Sequence, residues 1–233
     1  MAEMPKVKVI SSLQTSEKVV KSLLCLDRPV IGVSCKGTGT ESKGSITQVT
    51  VCTCDGDVYI FDVRKQPSII IDGAVIRLLQ SRELVKVFHD CRVYSSILKK
   101  VYGVDINNYF DTQIAFSIIL EQRGFPPRKV FLSFLCERFG IQMNTLDRTQ
   151  QMRMTDVNFW GLRPLSSEMI NISAADTLPL IPLYHSLTQD LSEDMVNWFE
   201  CLSIDSKFFN PGRVQSPTPK CERFQHRLKT KKC

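Results

Sequence analysis

The spacing of apolar and polar positions gives the two halves of the chain different textures. Residues 6–10 (KVKVI) alternate with period two and predict a short strand. Thr15 or Ser16 is placed to cap a following helix, whose stripe is Val19, Val20, Leu23 and Leu24. Arg28-Pro29 ends that helix, and the apolar run 29–35 (PVIGVSC) predicts a buried strand. Residues 46–54 and 57–63 are rich in β-branched residues and flank Asp55-Gly56, a two-residue hairpin signal. The opening therefore predicts one helix followed by three antiparallel strands.

From residue 74 the period lengthens. Helices are predicted over 74–82, 92–101 and 112–121, alternating with short strands at 85–89 and ending at Phe110-Asp111. Gly124-Phe-Pro-Pro marks a loop. Residues 129–139 then place Val130, Phe131, Phe134 and Leu135 on one helical face, with Gly140 suited to the position just past the end. Residues 142–164 are polar and irregular. Ser166 is placed to cap a helix through Asp176, which Pro179 and Pro182 interrupt. A last helix over 190–202 carries Met195, Trp198, Phe199 and Leu202 on one stripe, suited to a core or a dimer face. Three antiparallel strands followed by alternating helices and strands is the mixed-sheet α/β layout of a ribonuclease-H-like domain.

Composition narrows the classes. A chain of 233 residues with 43% hydrophobic and 23% charged residues suits one large α/β domain or two small ones. No apolar run approaches the ~20 residues that span a bilayer, and MAEMPKVKVI lacks the apolar core of a secretory signal, so no membrane association is expected. The nine cysteines are scattered and odd in number, which predicts free thiols in a reducing compartment. Cys52 and Cys54 are expected to share a strand face, but with three histidines and no second spaced pair no structural zinc is expected.

The net charge of +6 sits at one end. Arg213, Lys220, Arg223, Arg227, Lys229, Lys231 and Lys232 stand against the single acid Glu222, so 211–233 carries the whole excess and 1–210 balances. The chain is accordingly divided into a domain over 1–210 and a basic tail over 211–233, disordered in isolation. The seven tail cations suit phosphate neutralisation, with Phe224 and His226 available for stacking. A solvated terminus and a localisation signal at 229–232 are the other readings.

Four local words carry more specific information. They are Val30-Ile-Gly-Val-Ser-Cys-Lys-Gly37, Lys86-Val-Phe-His-Asp-Cys91, Tyr109-Phe-Asp-Thr-Gln-Ile-Ala115 and Ile172-Ser-Ala-Ala-Asp176. In this order they resemble the motifs of the DEDD 3′–5′ exonucleases: V-I-G-x-D-x-E-G, the strand entering the second motif, F-D-T-x-x-A, and Y-x-x-x-D. The resemblance covers about residues 20–190. The words H-D-C-R and F-D-T-Q are most similar to the exonuclease 3′–5′ domain-containing protein 1 group, associated with PIWI-interacting RNA (piRNA) biogenesis in animal germ cells.

The resemblance implies where a two-metal site would lie. In active members four carboxylates hold two divalent ions about 4 Å apart, one activating water and one stabilising the leaving oxygen. The first-motif acids map to Ser34 and Lys36, the second-motif acid to Tyr94, the base tyrosine to Ile172, and the third-motif acid to Asp176. Of these only Asp176 is retained, and a Lys36 ammonium in such a pocket is expected to pair with it. No metal cofactor is therefore expected, and the chain is read as a pseudo-exonuclease. The resemblance implies a role as an RNA-binding adaptor, cytoplasmic and in germ granules, working as a homodimer with Tudor-domain proteins and holding single-stranded RNA weakly and without sequence preference. A divergent exoribonuclease whose metal site is rebuilt from Asp90, Asp111 and Asp176, or a protein scaffold that ignores RNA, are the alternatives. For Asp90 and Asp111 the competing expectation is that both cap the helices that follow them, and for His89 that it is a hydrogen-bonded core residue.

The tail reading makes a quantitative forecast. If about five tail cations meet phosphates, single-strand affinity falls with salt at a log–log slope of about −3 to −4. Deleting 211–233 should remove most of that slope. Equal slopes for the full chain and the truncation would move RNA contact onto the domain.

Overall fold

The computed structural model describes residues 6–38, 44–143, 156 and 158–191. Six strands form one mixed sheet: β1 (Val7–Ile10), β2 (Val30–Thr38), β3 (Ser45–Cys52), β4 (Val58–Phe61), β5 (Val85–Phe88) and β6 (Tyr109–Asp111), in spatial order β1-β4-β3-β2-β5-β6. The strand β3 is antiparallel to both of its neighbours, β2 and β4, while β5 runs parallel to β2, β6 parallel to β5, and β1 lies parallel to β4 at one edge. The predicted order of three antiparallel strands and then alternation is the order found.

Helices cover both faces, which explains why β3 is apolar or buried along almost its whole length. On one face, α1 (Leu13–Leu24), α2 (Val75–Gln80) and α3 (Arg92–Tyr102) pack over Ile31, Val33, Val49, Val51 and Phe61. On the other, α4 (Thr112–Gln122), α5 (Leu132–Arg138), α6 (Ser167–Thr177) and α7 (Leu180–Asp190) cover Val87, Cys52, Val58 and Ile60. Each fully buried Val, Leu, Ile or Phe contributes about 1.5–3 kcal/mol of transfer free energy.

Local chemistry departs from the sequence reading in instructive places. The cap of α1 is Ser12, whose Oγ accepts from Thr15 N at 3.4 Å, and Leu24 faces solvent while Val19, Val20 and Leu23 are buried. The connection between β3 and β4 is longer than a two-residue turn: it spans 53–57, closed by Gly56 N to Thr53 O at 3.1 Å with Gly56 at φ +86°. Cys54 therefore lies beyond the end of the strand, although its side chain still packs against the cluster that holds Cys52. All six cysteines among the described residues are free thiols.

The helix expected over 129–139 starts only at Leu132. Residues 128–130 are held extended because Gln113 of α4 donates to Arg128 O (3.0 Å) and accepts from Val130 N (2.8 Å). Phe131 is the extended residue before the helix and is 82% exposed, so the apolar face reduces to Phe134 and Leu135. Gly140, at φ +64°, ends it as expected.

Of the two prolines, the first interrupts the helix as expected and the second does not. Pro179 sits between α6 and α7, but Pro182 is the third residue of α7, where no N–H is required by the ladder. Helical structure resumes at Leu180, and Leu183 N reaches Pro179 O at 3.0 Å. The helix over 180–190 is an element the sequence reading did not contain. Of the helix expected over 190–202, Asp190 instead ends α7, and 192–202 lie outside the described residues, as does the tail 211–233. No helix among the described residues is long and apolar enough to cross a membrane.

Candidate functional site

Strand alternation on β2 sends Ile31, Val33 and Cys35 to one core and leaves Gly32, Ser34 and Lys36 on the face under α6. The register sets these three opposite Cys52, Thr50 and Gln48 of β3. Gly32 is required there: a Cβ would stand 2.7 Å from Cys52 Sγ and 2.9 Å from Thr177 O. That approach brings the last turn of α6 down onto the strand.

The contact it creates is polar throughout. Ser34 Oγ lies 2.7 Å from Thr177 Oγ1, which donates to Ser173 O at 2.7 Å, so the Ser34 hydroxyl donates to Thr177. Gln48 donates its amide to Ser173 Oγ, which donates on to Met169 O at 2.8 Å. Lys36 Nζ makes an ion pair with Asp176 Oδ2, the two side chains retaining 11% and 14% exposure. The same ammonium lies 5.1 Å from the centroid of the Trp160 ring, a cation–π contact on its far side.

Ile172 is one turn back along α6, fully buried with Phe159, Trp160 and Met169. Its surroundings are apolar. The segment carrying Trp160 is fixed by Arg163, which donates to Asp62 Oδ1 (2.7 Å), Thr47 O (2.9 Å) and Leu162 O (2.6 Å). With Asp62 almost wholly buried, this ion pair clamps the segment to β3 and the end of β4.

The second-motif residues serve the backbone and one another. Asp111 caps α4 through Gln113 N and also accepts from Asp90 N and Cys91 N, all at 2.9 Å, with no exposed surface. Asp90 does not cap α3; it occupies the left-handed region at φ +52° and pairs with Arg92 Nε (2.8 Å) and Lys129 Nζ (2.6 Å). Burial alone would raise the Asp90 carboxyl, but hydrogen bonds from Arg92 and Lys129 hold it below the ordinary value. His89 has Nε2 3.1 Å from Val130 O, so that nitrogen carries the proton and Nδ1 accepts from the Thr112 hydroxyl at 2.8 Å. Burial lowers its pKa, which favours the neutral ring. Burial pushes the Tyr94 phenol up to about 12, with Cys35 and Asp176 adding to the shift.

The structure therefore brings Ser34, Lys36 and Asp176 together, with Tyr94 near enough to feel the Asp176 charge and Ile172 withdrawn into an apolar cluster. The seven tail cations lie outside the described residues. Sequence reasoning missed Gln48, Ser173, Thr177, Trp160 and Arg163. Ser173 and Thr177 were discoverable, since they repeat at i, i+4 on the face of α6 that also carries Asp176. No group of three or more His, Cys, Asp or Glu side chains among the described residues is arranged to hold a metal.

Residues 7–192 match the family model described as 3′-5′ exonuclease. Human piRNA biogenesis protein EXD1 is 27% identical over 206 residues, covering 85% of this chain and 40% of that protein. Its mouse counterpart is 29% identical over 201 residues, 82% of this chain and 35% of that protein. The chain thus spans less than half the length of these curated relatives. RNase D of Trypanosoma brucei superposes with a TM-score of 0.76 at 20% identity, covering 97% of this chain and 82% of that chain. Its complex with RNA U12 gives 0.75 at 22% identity, with 96% and 80% covered.

The ion pair is testable by a double-mutant cycle. Lys36→Met or Asp176→Leu alone each strands the other charge in a covered pocket and should cost about 3 kcal/mol in urea unfolding. The double substitution should cost clearly less than the sum. Additive losses would show that the two charges do not stabilise one another.

Proposed function

The chain belongs to the 3′-5′ exonuclease family, and from that premise we propose that it is a catalytically inactive member serving as an RNA-binding adaptor in piRNA biogenesis. The Lys36–Asp176 ion pair is the observation that carries this reading. Two-metal hydrolysis needs hard oxygen donors converging on the ions. The residues at the corresponding positions are a hydroxyl engaged with Thr177, an ammonium, a phenol held neutral, and a carboxylate already neutralised. That donor set does not fit two divalent cations. Lys36 places a positive charge where a cation would sit, and it does so without open coordination positions for water or a phosphate oxygen.

The alternative of a metal site rebuilt from Asp90, Asp111 and Asp176 meets a physical obstacle at each acid. Asp111 would have to surrender three backbone N–H bonds, Asp90 two cations, and Asp176 its lysine. Ile172 supplies no group able to take a proton from water. What the fold retains is the sheet-and-helix frame, with the electrostatics of its pocket balanced from within.

The pathway rests on the named relatives, human and mouse piRNA biogenesis protein EXD1, and RNA contact on the RNA-bound structure of a fold relative. Homodimerisation, Tudor-domain partners and a germ-granule address belong to the same proposal through the family resemblance. The basic tail adds sequence-independent attraction to phosphates.

Purified protein should leave end-labelled single-stranded RNA and DNA intact in millimolar magnesium or manganese. Ser34→Asp, Lys36→Glu and Tyr94→Asp together should not restore full activity, because Ile172 remains. Stepwise shortening from the 3′ end by the unaltered protein, abolished by chelator and by Asp176→Asn, would overturn the reading.

A further inference from the structure

Residues 123–131 (RGFPPRKVF) leave α4 at its far end and return to the end from which it starts. Phe125 N bonds Leu120 O at 2.9 Å near the end of α4, and Val130 N bonds Gln113 Oε1 at 2.8 Å near its beginning. The return is firmly held. Gln113 grips it on both sides of Lys129, and His89 Nε2 donates to Val130 O at 3.1 Å. Three side-chain bonds to the backbone of two residues fix where the intervening and following side chains project.

What they project is aromatic and cationic. Phe131 is 82% exposed and Phe125 60%, the most exposed aromatics among the described residues. Arg128 has its guanidinium 5.3 Å from the centroid of the Phe134 ring and no carboxylate partner among the described residues. Lys129 and Arg92 both pair with Asp90, but their side chains are 70% and 48% exposed against 14% for Asp90. The carboxylate is thus beneath and the cations are outermost, so the face presented to solvent is positive. The platform lies toward the pocket, since His89, which holds Val130, is close enough to feel the Asp176 charge.

We propose that this surface is a single-stranded RNA platform, with a base stacked on Phe131 and the flanking phosphates held by Arg128, Lys129 and Arg92. The proposal rests on the RNA-binding reading above and moves part of the contact from the tail to the domain. Aromatic rings stack on any base, and guanidinium and ammonium groups neutralise the neighbouring phosphates, so the platform binds without sequence preference. Rigid backbone matters here: a Phe held in place loses only side-chain rotation on stacking. An acidic polymer is the occupant that matches outermost cations. A neutral or basic protein segment would leave them desolvated and unpaired.

The test is fluorescence anisotropy of a labelled oligouridylate with the full chain, titrated at several salt concentrations. Phe131→Ala should weaken binding at least about fivefold without changing the log–log salt slope, because it removes stacking and no charge. Phe131→Trp should retain the affinity. Arg128→Ala should reduce the slope by about 0.7, the value expected for one phosphate contact on a single strand. Both residues are exposed, so melting temperatures should match that of the unaltered protein. Unchanged RNA affinity in Phe131→Ala would overturn the platform while leaving RNA binding through the tail intact, and would make Phe131 a protein-docking residue. If the unaltered protein does not retain the oligouridylate, the platform and the RNA-adaptor reading fall together.

Discussion

The Lys36–Asp176 ion pair is the constraint around which the pocket is organised. It ties the central strand β2 to α6, and the contacts on either side of it follow from that attachment. Ser34 meets Thr177 one residue further along α6, and Gln48 meets Ser173 on the strand beside. Trp160 closes over the ammonium, and Arg163 holds the segment carrying Trp160 against the sheet through Asp62. Two charges this covered are costly to desolvate and are tolerable only together. Each partner is therefore a structural requirement of the other. Removing one does not open a vacant site; it leaves a buried charge.

A carboxylate serves a divalent ion only while its oxygens are uncommitted. In this fold the nearby acids are committed in three different ways. Asp111 neutralises the orphan N–H groups at the start of α4 and the turn after β5, Asp90 gathers two exposed cations, and Asp176 takes Lys36. His89 is likewise occupied at both nitrogens, and its role is to hold the extended return after α4 in place. The proposed loss of chemistry thus coincides with a gain in internal order. Gln113 and His89 position the basic, aromatic segment, and His89 is close enough to the pocket to feel the Asp176 charge.

Much of this was legible in the sequence because it depends on local periodicity. The family motif singled out Ser34 and Lys36, and the β-rich runs followed by alternating helices gave the order of elements along the chain. The capping role of Ser166 was equally readable, since an exposed hydroxyl before a helical stripe has few other uses. What escaped depends on contacts between distant segments. The helix over 129–139 lost its first turn to Gln113 and His89, residues with no periodic signature. Pro182 reads as a breaker until its position in the first turn of α7 is known. Arg163 and Asp62 are about a hundred residues apart in sequence, and nothing local pairs them. Asp90 resembled a cap but became an ion-pair hub because α3 begins beyond it.

The central claim is that Lys36 takes the place of a metal ion beside Asp176. Isothermal titration of manganese into the unaltered chain measures this most directly. The account predicts no binding isotherm at micromolar to millimolar manganese that depends on Asp176. A micromolar site that disappears in Asp176→Ala would contradict it.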